Sequence, residues 1–253
     1  MKAAGLNRNI RKQYTEISEV AHYLWERGWA ESNAGNVSVN ITDEFRSNKH
    51  IPKTNGSKLN KAFPYLAGNF FLITVSGSRM RDVASDPYNN ILLINVSNNG
   101  QEYRYCGISK EGYFSTPSCT PTSELSVHLA YQNFLKKTNS KNKAILHTHA
   151  TELIALTHIK NYTNEKKINK LLWRMHPETK MFIPEGVGLV PLMTPGTWKI
   201  AESTVKSAKN HRVIIWEKHG CLATGESVRD AFDLIDIVAK AAEIYFLLKK
   251  ETK

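Results

Sequence analysis

His147 and His149 stand one residue apart in Ala144-Ile-Leu-His-Thr-His149, at the end of a short apolar run. On a strand, side chains two apart project from the same face, so both imidazoles reach toward one place. Converging imidazoles can share a divalent ion, and a catalytic zinc site needs three protein ligands plus an open position. The pair alone is a weak signal, because surface and core histidines also occur at this spacing. His219 offers a third ligand: it follows the buried run Val213-Ile-Ile-Trp216 and precedes Gly220, which permits a sharp turn. Glu124 falls in the first turn of an expected helix, where the helix dipole favours a carboxylate. His128 shares its face four residues on and reads as a packing residue or a support for a ligand.

Two loops could hold an anion. Ser32-Asn-Ala-Gly-Asn36 is a tight Asn/Gly/Ser turn whose backbone N–H groups and short amides suit a phosphate, with a plain helix-to-strand turn as the competing reading. Ser76-Gly-Ser-Arg79 ends a second buried strand and brings a hydroxyl, a glycine and two nearby arginines, Arg79 and Arg81.

The elements that must position these groups follow from periodicity. Ile10, Tyr14, Ile17, Val20/Ala21 and Leu24 predict a helix over 9–27, closed by Gly28. Strands are expected at Val37–Ile41, Phe70–Val75, Ile91–Val96 and Gln101–Cys106, the last two joined by the hairpin signal Asn99-Gly100. Residues 43–69 read as a polar excursion with a helical turn near Phe63–Leu66. Helices are expected from a Thr122 or Ser123 cap to Lys137, from Thr151 to Thr157, from Glu165 to Met175, and from Pro195-Gly-Thr197 to about Lys209. Met181–Pro184 and Gly188–Met193 read as short strands. Ser227-x-x-Asp230 opens a long final helix in the manner of a capping box. Hairpins mixed with strand–helix alternation predict an α/β fold, a three-layer α/β/α sandwich around a mixed, largely antiparallel sheet, in one domain spanning 1–253.

Composition narrows the function classes. The formal charge is +11, but the basic residues are scattered and no nucleic-acid-binding motif accompanies them, so no nucleic-acid partner is expected. A basic surface that attracts a phosphorylated metabolite accounts for the charge. No apolar run is long enough to span a membrane, and no membrane association is expected. Three cysteines, with no CxxC pair, point to free thiols and a cytoplasmic location.

Nine short motifs, in order, resemble the class II aldolase family of sugar-phosphate enzymes. They are Ser32-Asn-Ala-Gly-Asn36, Thr74-Val-Ser-Gly77, Pro121-Thr-Ser-Glu-Leu125, His147-Thr-His-Ala-Thr151, Leu156-Thr157, Leu172-Trp173, Pro184-Glu-Gly-Val-Gly188, Pro195-Gly-Thr197 and His219-Gly220. The resemblance spans about residues 10 to 250. It implies a zinc enzyme with His147, His149 and His219 as ligands, and Glu124 as the catalytic carboxylate. Asn33, Gly35, Asn36, Ser76, Gly77, Thr122 and Ser123 match or adjoin the phosphate-binding positions. Glu178 falls where an auxiliary carboxylate reaches in from a neighbouring subunit, which implies a cyclic homotetramer with active sites at subunit interfaces. Two departures stand out: Val75 where a glycine is more usual, and no extended C-terminal tail to finish the active-site rim or subunit contact. The chemistry agrees, since carbon–carbon cleavage beside a ketone needs an electron sink and no lysine stands out for a Schiff base. A 4-epimerase of the same fold tends to carry aspartate where this chain has Glu124, and a non-catalytic adducin-like head needs none of these groups.

Overall fold

The computed structural model describes Leu6 and residues 8–45 and 56–251. Among these, ten strands form one sheet: β1 (Asn36–Asn40), β2 (Gly56–Lys58), β3 (Phe70–Thr74), β4 (Ile91–Val96), β5 (Glu102–Ile108), β6 (Phe114–Ser115), β7 (Ala144–Thr148), β8 (Val187–Val190), β9 (Val213–Trp216) and β10 (Gly220–Gly225). Their order is β2-β5-β4-β3-β1-β7-β10-β9-β8, with β6 paired to β5. Every pair is antiparallel except β8 with β9, so the sheet is mixed and largely antiparallel as expected.

Alternation along the strands sends side chains to two separate cores. One face carries Val37, Val39, Leu72, Leu146, Ile215 and Ala223, buried against the helices Arg8–Glu26, Thr151–Thr157, Glu165–Met175 and Val228–Glu251. The other carries Ile73, Ile145, Ile214 and Leu222 beneath Leu125–Lys137 and Trp198–Ala208. The first helix buries the predicted stripe of Ile10, Tyr14, Ile17, Val20, Ala21 and Leu24. The final helix opens on a reciprocal box: Asp230 N–H donates to Ser227 Oγ at 3.1 Å, and Ser227 N–H donates to Asp230 Oδ2 at 2.9 Å.

Several expectations need correcting. Met181-Phe-Ile-Pro184 is not a strand; Pro177–Phe182 forms a short helix, with Pro177 in its first turn where a missing N–H costs nothing. The strand expected over Gly188–Met193 runs from Val187 to Val190. The helix after Thr122-Ser123 begins at Leu125 with Glu124 as its N-cap and no side-chain cap bond. Strand β10 and the short helices Met80–Ser85 and Pro87–Asn90 were not anticipated by periodicity. Within the excursion over 43–69, β2 and the 3-10 turn Pro64–Leu66 are ordered elements, and 46–55 lie outside the described residues.

Candidate metal centre

The site sits at one edge of the sheet, where β7 ends and β10 begins. Register places Asn36 and Leu222 on either side of His147, so all three project from the same face. His149 follows directly after β7, and its backbone N–H donates to Trp29 O at 2.9 Å, which ties the strand end to the loop after the first helix. Thr148 Oγ also donates to Trp29 O, at 2.7 Å. His219 arrives from β9 through a tight turn in which Lys218 adopts φ +58° and donates its N–H to Thr157 Oγ at 2.9 Å. Gly220 is required by close approach: a Cβ there would lie 2.5 Å from Thr148 O and 3.1 Å from atoms of both His147 and His149.

One ligand atom from each of His147, His149 and His219 lies within 4.8 Å of the others. The hydrogen bonds of His147 and His149 set tautomers that suit an ion. His147 Nδ1 donates to Cys221 O at 2.9 Å, leaving Nε2 as a lone pair. His149 Nδ1 donates to Glu31 Oε1 at 2.7 Å, the carboxylate–histidine arrangement that orients a metal ligand. His219 Nδ1 is buried without a partner among the described residues, and its ring stacks on Trp216 at 5.1 Å between centroids. Burial drives the pKa of His147 down to about 3 and that of His219 to about 4, so both are neutral ligands at ordinary pH. Three imidazoles with ligand atoms this close together fit a divalent cation.

The carboxylate is in place. Glu124 is buried; its Oε2 lies 3.6 Å from His147 Nε2 and its Oε1 lies 3.9 Å from His219 Nε2. As an N-cap whose side chain makes no cap bond, it is free to turn toward the histidines. Its own N–H is 3.3 Å from Thr122 Oγ, which fixes the turn below it.

A cavity of 260 Å³ gathers the predicted groups: Asn33, Gly35 and Asn36 from one loop, Ser76 and Gly77 from the second, Thr122, Ser123 and Glu124 from the helix start, and the three histidines. Gly35 adopts φ +88°, and a Cβ on it would press 3.3 Å from His147 O, so the loop closes on the strand only with glycine there. Among the described residues, the backbone N–H groups of Gly35, Gly77 and Ser123 have no partner within the protein, as an anion cradle needs. Asn36 and Thr122 differ from a plain cradle role. Asn36 Nδ2 donates to Glu124 Oε2 at 3.0 Å, and Thr122 is turned into the fold.

Glu178 does not line this cavity; it is half exposed on its short helix and pairs with His176 Nε2 at 3.0 Å. Glu31 is the residue that periodicity missed. Only its place two residues before Asn33 could have flagged it.

Three imidazoles that could hold a metal ion, a buried carboxylate and loops with unpartnered N–H groups meet at one end of the central strands. The chain belongs to the Class II Aldolase and Adducin N-terminal domain family, whose model matches residues 15–246. It is 38% identical over 244 residues to a rhamnulose-1-phosphate aldolase of Bacteroides thetaiotaomicron, covering 95% of this chain and 87% of that one. A protein of the same name from Listeria welshimeri is 34% identical, over 91% of this chain and 81% of its own. Among solved structures, a sugar-phosphate aldolase from Thermotoga maritima aligns at TM-score 0.79 and 29% identity, covering 97% and 98% of the two chains.

Proposed function

We propose that this protein is a zinc-dependent aldolase that cleaves L-rhamnulose 1-phosphate to dihydroxyacetone phosphate and L-lactaldehyde, working in rhamnose catabolism as a cytoplasmic homotetramer. The observation that carries this reading is the convergence of eleven of the twelve predicted site residues on one cavity. Two relatives that share at least 34% identity bear the corresponding name, and the motif set is closest to that activity.

In this reading His147, His149 and His219 hold the ion, which supplies a Lewis acid for the charge that develops when the bond beside the ketone breaks. The unpartnered N–H groups of Gly35, Gly77 and Ser123, with Asn33 and Ser76, bind the phosphate and fix the donor half of the sugar. Cleavage leaves an electron pair on the donor carbon while the hydroxyl of the aldehyde half gives up its proton to become a carbonyl; Glu124 passes a proton to that carbon, and the hydroxyl proton replaces the one it gives. In the synthetic direction the same carboxylate removes the proton from that carbon. Glu31 holds His149 through Nδ1, which would leave Nε2 as the nitrogen offered to an ion. Glu178, remote from its own chain's cavity, serves the site of a neighbouring subunit.

Same-fold alternatives are an L-fuculose-1-phosphate aldolase and a pentulose-phosphate 4-epimerase. Glutamate rather than aspartate at 124 weighs against the epimerase. A non-catalytic adducin-like role leaves the assembled site unexplained. The test presents the zinc-loaded protein with L-rhamnulose 1-phosphate, L-fuculose 1-phosphate and L-ribulose 5-phosphate in parallel. Dihydroxyacetone phosphate released fastest from the first supports the assignment; turnover of either of the others in its place overturns it.

A further inference from the structure

The central strand β1 sends Asn36, Ser38 and Asn40 to the face under Leu125–Lys137, and all three are buried. That helix answers with His128 and Gln132, four residues apart and 0% and 1% exposed. Such a row of buried polar side chains demands that every donor and acceptor be matched.

We propose that Gln132, Ser38, His128 and Asn36 form a one-way chain of hydrogen-bond donors that ends on Glu124 and holds its carboxylate toward the histidines, which makes His128 a positioning residue. The proposal rests on the catalytic role given to Glu124 above. The direction follows from what each atom can do. Asn36 Nδ2 is 3.0 Å from Glu124 Oε2 and donates to it. Its Oδ1 can then only accept, and it lies 2.5 Å from His128 Nε2, which must carry the proton. A neutral ring leaves Nδ1 as an acceptor, and Ser38 Oγ, 2.8 Å away, must donate to it. The lone pairs of Ser38 Oγ take an N–H of Gln132 at 3.3 Å, and Gln132 Nε2 also donates to Lys143 O at 3.0 Å. Burial pushes the pKa of His128 down to about 4, in keeping with a ring that carries one proton.

Glu124 depends on this chain. Among the described residues Asn36 is the only donor within hydrogen-bonding distance of its carboxylate, since the histidine nitrogens stand at 3.6 Å and 3.9 Å. The polarity of the chain reinforces each link toward the carboxylate. Reversal at any member would turn Asn36 Oδ1 against Glu124.

The experiment has two arms. Nitrogen NMR of the labelled protein reads the His128 tautomer without any substrate; a proton on Nε2 is expected, and a proton on Nδ1 would overturn the chain. Kinetics on the zinc-loaded enzyme then compares His128→Phe, His128→Gln and Ser38→Ala. His128→Phe is expected to lower kcat about 10–100-fold at unchanged KM. His128→Gln, which keeps a donor for Asn36, recovers most of it, and Ser38→Ala loses less because it lies one link further back. Equal losses in the Phe and Gln variants, or an unchanged kcat in Ser38→Ala, would reduce the network to core packing. Should His128→Phe fail to fold, Ser38→Ala and the tautomer decide. A protein with the proton on Nε2 but no aldolase turnover loses the proposed function and keeps the chain; turnover with the proton on Nδ1 does the reverse.

Discussion

The two sides of strand β1 do opposite work. Val37 and Val39 enter an apolar core shared with the first and last helices, while Asn36, Ser38 and Asn40 enter a buried polar row under Leu125–Lys137. The apolar side needs only volume and gains from every methylene taken out of water. The polar side costs desolvation at each residue and is tolerated because its members satisfy one another: Asn40 Oδ1 takes the Thr42 hydroxyl at 2.6 Å, and Asn36 bridges His128 and Glu124. A strand that binds the fold on one face can therefore aim chemistry with the other.

Cavity size does not make this distinction. A larger cavity, 700 Å³, lies at the opposite end of β7 and β10, around Asn142, Gly225, Asp230 and Asp233. Of its acids, Asp236 pairs with Arg27 at 2.6 Å and Asp230 takes the Ser227 N–H, while Asp233 lies between them with its pKa raised by burial and by these two acidic neighbours. Convergence of three imidazoles and a buried carboxylate is what sets the smaller cavity apart as the candidate site.

Substitutions should separate the two sides of β1. The largest effect is expected at the end of the polar row: Glu124→Gln should lower kcat by about 10²–10⁴ with zinc still bound. A small loss in an enzyme that retains its metal would remove Glu124 from the proton-transfer step. On the apolar side, Val39→Ala should cost about 2 kcal/mol of stability in urea titrations and leave kcat intact at 25 °C. A fall in kcat without a fall in stability would show that the two faces are not separable.

Acid should act through the polar side. His128 and His147 are buried with pKa values down at about 4 and about 3, below the ordinary 6.5. Between those limits the unfolded chain binds protons that the folded chain refuses, so stability of the metal-free protein rises with pH and falls on acidification from 6.5 toward 4. Each such proton contributes a slope of about 1.4 kcal/mol per pH unit. Urea midpoints that stay flat over this window would contradict neutral burial of the two rings.

The smallest effect concerns thiols. Cys106 and Cys221 lie in the apolar core with pKa values pushed up to about 12 by burial, whereas Cys119 is partly exposed. Mass spectrometry after brief alkylation of the native protein should find Cys119 modified first. Early labelling of Cys221 would mean that β10 opens.

Much of the site was legible because its groups sit where periodic elements end. The apolar runs ending in His147 and His149 and leading to His219 place three imidazoles at strand termini without any tertiary information. What stayed hidden was carried by residues of the wrong type. The turn between β9 and β10 rests on Lys218 at φ +58°, and a lysine gives no turn signal, so β10 went unseen. Met181-Phe-Ile has the apolar look of a strand, but Pro177 starts a short helix through it. The polar row was hidden for a simpler reason: Asn36, Ser38 and Asn40 on an alternating strand look solvent-facing until a helix covers them. Glu31 and His128 gain their meaning only from partners 118 and 92 residues away.

The most direct test of the central claim is dihydroxyacetone phosphate release from L-rhamnulose 1-phosphate before chelation, after removal of metal, and after zinc is returned. Turnover that disappears with the metal and returns with about one zinc per chain is the predicted result, three histidines and an open position forming one site. Full turnover by protein shown to be metal-free would contradict it.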